Sequence, residues 1–389
     1  MNPSLALRCA ATLGREVARC GASRVVRGRL PDRGSRVTTG WLEAALGLPS
    51  GALRSIDLVS EDSGTAARAR FALDVRPGHD APSHVFLKLT PHNFAQHVMM
   101  NVVGLGTREA LFYRAVAPHV PIRVPGCHAV RVDPALGRIA LVLEDLSGRA
   151  TFRDVRDDVS LREAEAVVDA FADLHAALWE SPRLSGELAP LGPLRLRSPV
   201  VGYLGGAVVR RGLAKPAASV TDLIPADVVR RSRVLYENLP AVDAYWAAQP
   251  QTLTHGDPHL GNLFFEGPTP GFLDWQVATI GPGVRDVVYF VVTAMRVPEA
   301  RKHERDLVER YAARLGAAGV AANPETLWTS YRALAAEAYI AAVATAGAGE
   351  RMQSREVARS GVQRAAAAVE ALDTFEVLAD LVGLERSTS

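Results

Sequence analysis

The run His255-Gly-Asp-Pro-His-Leu-Gly-Asn262, followed by Phe272-Leu-Asp274-Trp, constrains this chain more than any other segment. It sets one Asp, then an Asn five residues later, then a second Asp beyond a short turn-rich stretch. Phosphoryl transfer from ATP requires that set. A carboxylate orients the attacking hydroxyl and accepts its proton, while an amide oxygen and a second carboxylate hold the magnesium ions that bridge the phosphates. Asn and Asp offer hard oxygen ligands, which suit magnesium.

The flanks agree with that chemistry. Thr252-Leu-Thr254 and Leu263-Phe-Phe265 are short extended runs on either side of the loop. Gly267, Pro268, Thr269, Pro270 and Gly271 form a turn cluster, and Phe272-Leu273 carries Asp274 at the end of a third run. Strand, loop, strand, turn and strand in that order bring Asp257, Asn262 and Asp274 to one side. A surface loop of turn formers is the competing account, because Asp-Pro and Gly-Asn are ordinary turn dipeptides. Two pieces with the right spacing and order favour the site.

Nucleotide chemistry also needs a cation on the phosphates that do not react. Of the 44 Lys and Arg residues, only Lys88, Lys215 and Lys302 are lysine. Lys88 lies inside the apolar run Val85-Phe-Leu-Lys-Leu89, where a lone charge is costly without a partner. An ammonium on a strand reaches a phosphate as a point charge, a role Arg does not fill in the same way. An edge-strand Lys that blocks aggregation is the alternative. Thr107 to Tyr113 has helical spacing and offers Glu109 as the partner of Lys88, against a solvated helix Glu. Upstream, Ser55–Ser60 and Arg68–Val75 alternate like paired strands around Glu61–Ala67. That loop, with Ser63, Gly64 and Thr65, is placed to cover phosphates, although its single glycine makes a weak signal. No Gly-x-x-x-x-Gly-Lys-Ser/Thr motif is present, which excludes a P-loop enzyme. Ile139–Leu146 reads as a buried strand ending in two acids. The backbone around Glu144 to Leu146 is a candidate adenine contact, with a plain strand end as the alternative.

Taken together, these pieces resemble the aminoglycoside phosphotransferase and choline kinase superfamily, most closely its ecdysteroid-kinase-like (CHK kinase-like) branch. The matching segments run from about residue 42 to 290 and end with Gly281-Pro-Gly-Val-Arg-Asp286-Val-Val-Tyr-Phe290. The resemblance implies an α+β, bilobal protein-kinase-like fold with a small β-rich N-terminal lobe and a larger, mostly helical C-terminal lobe. It also implies ATP and magnesium as cofactors and a small-molecule alcohol as acceptor. By matching position, Lys88 would clamp phosphates, Glu109 would hold Lys88, Asp257 would be the catalytic base, and Asn262 and Asp274 would bind magnesium. His255 would fix the loop, and Asp286 would anchor the loop or cap the next helix. His259 reads as packing in the turn. Gly256 stands where protein kinases carry Arg, and no Ala-Pro-Glu segment follows, which argues against a protein substrate.

The remaining sequence sets bounds. A net charge of +2 is too small to imply a nucleic-acid partner, and none is expected. Cys9, Cys20 and Cys127 have no metal spacing and fit a reducing cytoplasm. No apolar run reaches membrane-spanning length. The chain divides into a loosely ordered, Arg-rich extension (1–40, with Arg27 among its arginines), an N-lobe (41–144) and a C-lobe (145–389). Ser160-Leu-Arg-Glu163 is a capping box that opens a helix with Ala164, Val167, Val168, Phe171, Leu174 and Leu178 on its apolar face and His175 packed beside it. Residues 181–220 read as an insertion over the acceptor site, with Arg195, Arg197, Arg210, Arg211 and Lys215 making it basic. Helices are expected over about 221–247, 298–316 and 324–385.

The expected activity is transfer of the γ-phosphoryl group to a substrate hydroxyl. A nucleotide-binding pseudokinase scaffold and an antibiotic-inactivating phosphotransferase are the alternatives. The basic, apolar insertion favours a neutral, hydrophobic or acidic alcohol, although Glu163, Glu165, Asp169 and Asp173 offer an acidic wall elsewhere.

Overall fold

A computed structural model describes residues 3–26, 28–194, 198–351 and 353–384. Arg27, Arg195 and Arg197 lie outside the described residues. The chain opens with helix α1 (Pro3–Val25) and α2 (Thr39–Leu46), then a five-stranded antiparallel sheet. Its strands are β1 (Leu53–Ser63), β2 (Ala67–Val75), β3 (His84–Leu89), β4 (Cys127–Asp133) and β5 (Arg138–Glu144), in the order β1-β2-β3-β5-β4. Between β3 and β4 lie α3 (Phe94–Val103) and α4 (Leu105–Leu111), the latter running into a π-turn over Phe112–Val116. The expected helix at 107–113 is therefore split at its C-terminal end.

After β5 the chain is mainly helical: α5 (Leu161–Ala177), α6 (Gly206–Ala214), α7 (Ala226–Arg231), α8 (Arg233–Glu237) and α9 (Leu239–Ala247). Short strands complete this region: the two-residue β6 (Thr151–Phe152) pairs with β8 (Leu263–Glu266), which forms a hairpin with β9 (Thr269–Phe272), while β7 (Thr252–Thr254) pairs with β10 (Thr279–Gly281). The chain closes with α10 (Val284–Ala294), α11 (Val297–Ala317), α12 (Pro324–Ala348), α13 (Arg355–Ala371) and α14 (Thr374–Leu381). This is the α+β, kinase-like arrangement that the motifs imply, a β-sheet N-terminal region followed by a helical C-terminal part.

Alternation on the strands sets one core under the sheet. Ala67, Ala69 and Phe71 of β2 and Val85, Leu87 and Leu89 of β3 join Leu42 of α2 there. The opposite sheet face, through Leu141 and Leu143, merges with the larger helical core around Phe171, Phe272, Trp275 and Tyr311. The segments that carry Lys88, Asp257 and Asp274 therefore lie where the two cores meet.

Three expectations are corrected. The loose N-terminal extension contains a helix: α1 packs on α3, with Glu16, Cys20 and Ser23 buried. Arg138, buried in β5, donates to Ser23 Oγ at 2.7 Å and to Leu30 O at 3.2 Å, which ties this segment to the sheet. The expected helix over 221–247 is three short ones, interrupted at Ser232 and Asn238 and restarted with Pro240 in the first turn of α9. The expected helix over 324–385 breaks at Gly349, whose φ is +66°, and again at Asp373, whose φ is +49°. No helix among the described residues is long and apolar enough to cross a membrane.

Candidate active site

Lys88 sits on β3 with its side chain 6% exposed. Its Nζ lies 2.7 Å from Glu109 Oε2 and 2.7 Å from Asp274 Oδ1. Burial alone would lower Lys88, but Asp274 and Glu109 outweigh it and hold the ammonium protonated. Burial pushes the Glu109 carboxyl up to about 6 against the pull of Lys88. Burial also works to raise Asp274, yet Lys88 brings that carboxyl below its ordinary range, with Arg68 and His255 adding to the effect. Asp274 stands in the left-handed region at φ 59°. Asp tolerates that conformation better than most residues, and it is met at functional sites. The neighbouring Trp275 stacks on Phe112, with ring centroids 3.7 Å apart, and so joins the Asp274 turn to the end of the Glu109 helix.

The loop around Asp257 hangs on a buried polar network. Asp286, at the start of α10, accepts from His255 N at 2.5 Å and from Gly256 N at 3.0 Å. Burial works to raise its carboxyl, but the His175 hydrogen bond and charge bring it below the usual carboxylate range. His175 Nε2 lies 3.3 Å from the same carboxylate, and its Nδ1 lies 2.9 Å from the Tyr311 hydroxyl. Burial lowers His255, which favours the neutral ring. Its Nε2 then donates to Leu273 O at 2.7 Å and its Nδ1 accepts from Asp257 N at 3.3 Å. One imidazole thus joins the Asp257 loop to the residue before Asp274. Gly256 has φ +89°, and a Cβ there would lie 2.4 Å from Val277 O, so this position requires glycine.

Asp257 itself is more open, its side chain 35% exposed. Its Oδ1 accepts from the Tyr289 hydroxyl at 2.6 Å. Its Oδ2 lies 3.3 Å from Asn262 Nδ2 and 3.5 Å from His259 Nε2. Asn262 Nδ2 also donates to Asp257 O at 2.8 Å. With its nitrogen turned onto Asp257, Asn262 presents its amide oxygen as the acceptor. An amide oxygen and the Asp274 carboxylate form a hard donor set that fits magnesium, which keeps several waters and takes few protein ligands. Among the described residues no group of three or more His, Cys, Asp or Glu is placed to hold a metal.

The remaining expected contacts are placed less directly. Ser63 ends β1, and its Oγ accepts from His92 N at 3.1 Å. Gly64 N donates to Ala66 O at 2.9 Å, so Gly64, Thr65 and Ala66 form the tip of the β1–β2 hairpin. Glu144 N donates to Gly126 O at 2.7 Å, and Leu146 O accepts from Arg149 N and Ala150 N. Those two backbone groups are therefore already committed within the protein. The Glu144 carboxylate pairs with Arg123 and Arg149, each at 2.9 Å.

Two supporting residues carry no sequence motif. Tyr289 lies one turn after Asp286 on α10, so helical spacing from that acid could have found it. Arg108, buried on α4, donates to the carbonyls of Ala278 (2.7 Å), Leu191 (2.8 Å) and Gly192 (3.0 Å). Only its place beside Glu109 hinted at a role.

The profile of the phosphotransferase enzyme family matches residues 103–334, more than half of the chain. A curated relative, "Probable acyl-CoA dehydrogenase IBR3" of Arabidopsis thaliana, is 26% identical over 229 residues, 56% of this chain. The chain spans about a quarter of that relative's length, 26%. Among solved structures, a choline/ethanolamine kinase family protein from Mesorhizobium loti is 16% identical with a TM-score of 0.46, covering 89% of this chain and 100% of that one. Macrolide 2'-phosphotransferase MphH from Brachybacterium faecium is 19% identical with a TM-score of 0.44, covering 84% and 95%. By the family profile, whose matched span holds Glu109, Asp257, Asn262, Asp274 and Asp286, this chain belongs to the phosphotransferase enzyme family.

Proposed function

We propose that this phosphotransferase moves the γ-phosphoryl group of ATP to the hydroxyl of a small, neutral, hydrophobic or acidic alcohol. The observation that carries the reading is the Lys88–Glu109–Asp274 triad, which joins the sheet to the loop that follows Asp257. Asp257 acts as the base: it orients the acceptor hydroxyl and takes its proton, with Tyr289 fixing the carboxylate rotamer. Asn262 and Asp274 hold magnesium, which when bound neutralises charge on the phosphates. Lys88 exchanges Asp274 for phosphate oxygens while Glu109 keeps it in place. The backbone near Asp145 contacts the purine, and the β1–β2 tip at Ser63, Gly64 and Thr65 covers the phosphates.

The acceptor preference has its own support. Asp169 pairs with Arg310 and Asp173 with Arg314, each at 2.7 Å, and Glu163 pairs with Arg153. These acids are neutralised in place and make a poor wall for a polycation. On the insertion, Val208 is exposed beside Arg210 and Arg211. The test is acceptor-dependent transfer from γ-labelled ATP to a panel of cationic, neutral and carboxylated alcohols. Labelled product from neutral or acidic acceptors, abolished in Asp257→Ala, is expected. Transfer restricted to polycationic acceptors would contradict the acceptor assignment, and a fully active Asp257→Ala protein would contradict the base assignment.

A further inference from the structure

The sheet face that meets the helical region carries more positive charge than the catalytic motifs use. Alternation on β2 sends Ala67, Ala69 and Phe71 into the core under the sheet and turns Arg68 and Arg70 to the opposite face. The β2–β3 register sets Arg68 across from Lys88 and Arg70 across from Phe86. Residues directly opposite on antiparallel strands share a face, with Cβ atoms about 4.5–5.5 Å apart. Arg68 therefore stands beside Lys88.

These three cations differ in what engages them. Lys88 lies between two carboxylates. Arg70 donates to Asp145 Oδ2 at 2.5 Å, a carboxylate whose side chain is 5% exposed. Arg68 faces Asp62 at 3.8 Å, too long for a hydrogen bond, and both side chains are open to solvent at 42% and 68%. An exposed pair of that kind is worth about 0–1 kcal/mol and gives way readily to a better anion.

The nucleotide site is short of cations at this point. Lys88 with Glu109 and Asp274 carries a net negative charge, which repels a polyphosphate until metal arrives. The hairpin tip beside it, with the Gly64 N–H bonded to Ala66 O and Ser63 Oγ accepting from His92 N, supplies neutral groups and no positive charge. A guanidinium presents a planar fork of donors that matches paired phosphate oxygens. We infer that Arg68 is a second phosphate-binding residue, donating to the non-transferred phosphates of the nucleotide next to Lys88. The inference rests on the nucleotide reading given above.

The experiment is equilibrium binding of MgATP and of adenosine to the wild type, Arg68→Ala, Arg68→Lys and Arg54→Ala. Arg54 is the control, an exposed β1 arginine paired with exposed Asp74 at 2.8 Å. Loss of a charge-assisted hydrogen bond predicts that Arg68→Ala weakens MgATP about 10–100-fold. Adenosine affinity stays unchanged, Arg68→Lys lies between, and Arg54→Ala matches the wild type. Unchanged MgATP affinity in Arg68→Ala, with a wild type that binds, overturns the role of Arg68 and leaves the nucleotide reading standing. Equal losses for MgATP and adenosine mean a structural effect and overturn it as well. A wild type that binds no MgATP overturns both.

Discussion

At the scale of single residues, Lys88 and Asp257, proposed as phosphate clamp and base, each have a distinct signature. Lys88 is buried and held by two acids, whereas Asp257 is half-open and held by a tyrosine hydroxyl and an amide. Asp257→Ala is predicted to lower kcat about 10²–10⁴-fold, the contribution of a positioned base, while MgATP affinity is retained. Tyr289→Phe should lower kcat less and leave nucleotide affinity intact; steady-state kinetics with both substrates checks both variants. The pH dependence follows from Glu109, which burial raises from 4.5 to about 6. Below about pH 6 Glu109 takes up a proton and its charge pair with Lys88 is lost, so kcat/KM falls as pH drops through that value. The stability contribution has the opposite sign. A raised carboxyl favours the folded state below its ordinary pKa and loses that contribution as pH rises through about 6. Glu109→Gln should lower activity above pH 6 and remove the step in the profile.

At the scale of elements, the catalytic loop is a suspended segment. Its backbone N–H groups at His255 and Gly256 hang on Asp286 of α10, and that carboxylate is in turn met by His175 of α5. Arg285 donates to Gly256 O at 3.0 Å from the same helix. Asp286→Ala would orphan buried donors and is predicted to cost about 3–5 kcal/mol in denaturant unfolding. Gly256→Ala should cost at least about 1–3 kcal/mol through the left-handed backbone and the clash with Val277 O. The loop was legible in the sequence because its ligands lie within a few residues of one another. Lys88 was legible because lysine is rare here and sits in an apolar run. Arg108 was not, since its role depends on where α4 packs, and Tyr289 was readable only by counting one helical turn on from Asp286. The break at Gly349 has a local cause in that glycine, but the long Ala-rich apolar pattern on both sides hides it, and the break at Asp373 has no glycine to mark it.

For the whole molecule, the junction between sheet and helices is held by charge as well as by packing. Lys88–Asp274 crosses it, Arg123 joins Glu144 and Glu266, and Arg108 ties α4 to the segment after Asp274. The N-terminal helix belongs to this assembly through Arg138. Its composition, with many arginines and few acids, reads as a loose tail, yet it is rich in the helix formers Ala, Leu and Arg and docks as a helix against α3. Deleting residues 3–26 would leave the buried Arg138 guanidinium without Ser23 and Val26, at about 1–3 kcal/mol for each orphaned group. A lower melting temperature on truncation is the expected result, and an unchanged one would show that the sheet needs no such support. The proposed transfer requires a magnesium-dependent nucleotide site at Asp274. The most direct measurement is the melting temperature with ATP, with and without magnesium, for the wild type and Asp274→Ala, since a ligand that binds the folded state must raise it. The predicted result is a rise that requires magnesium in the wild type and is lost in Asp274→Ala. No rise in the wild type at saturating MgATP, or an equal rise in Asp274→Ala, would contradict it.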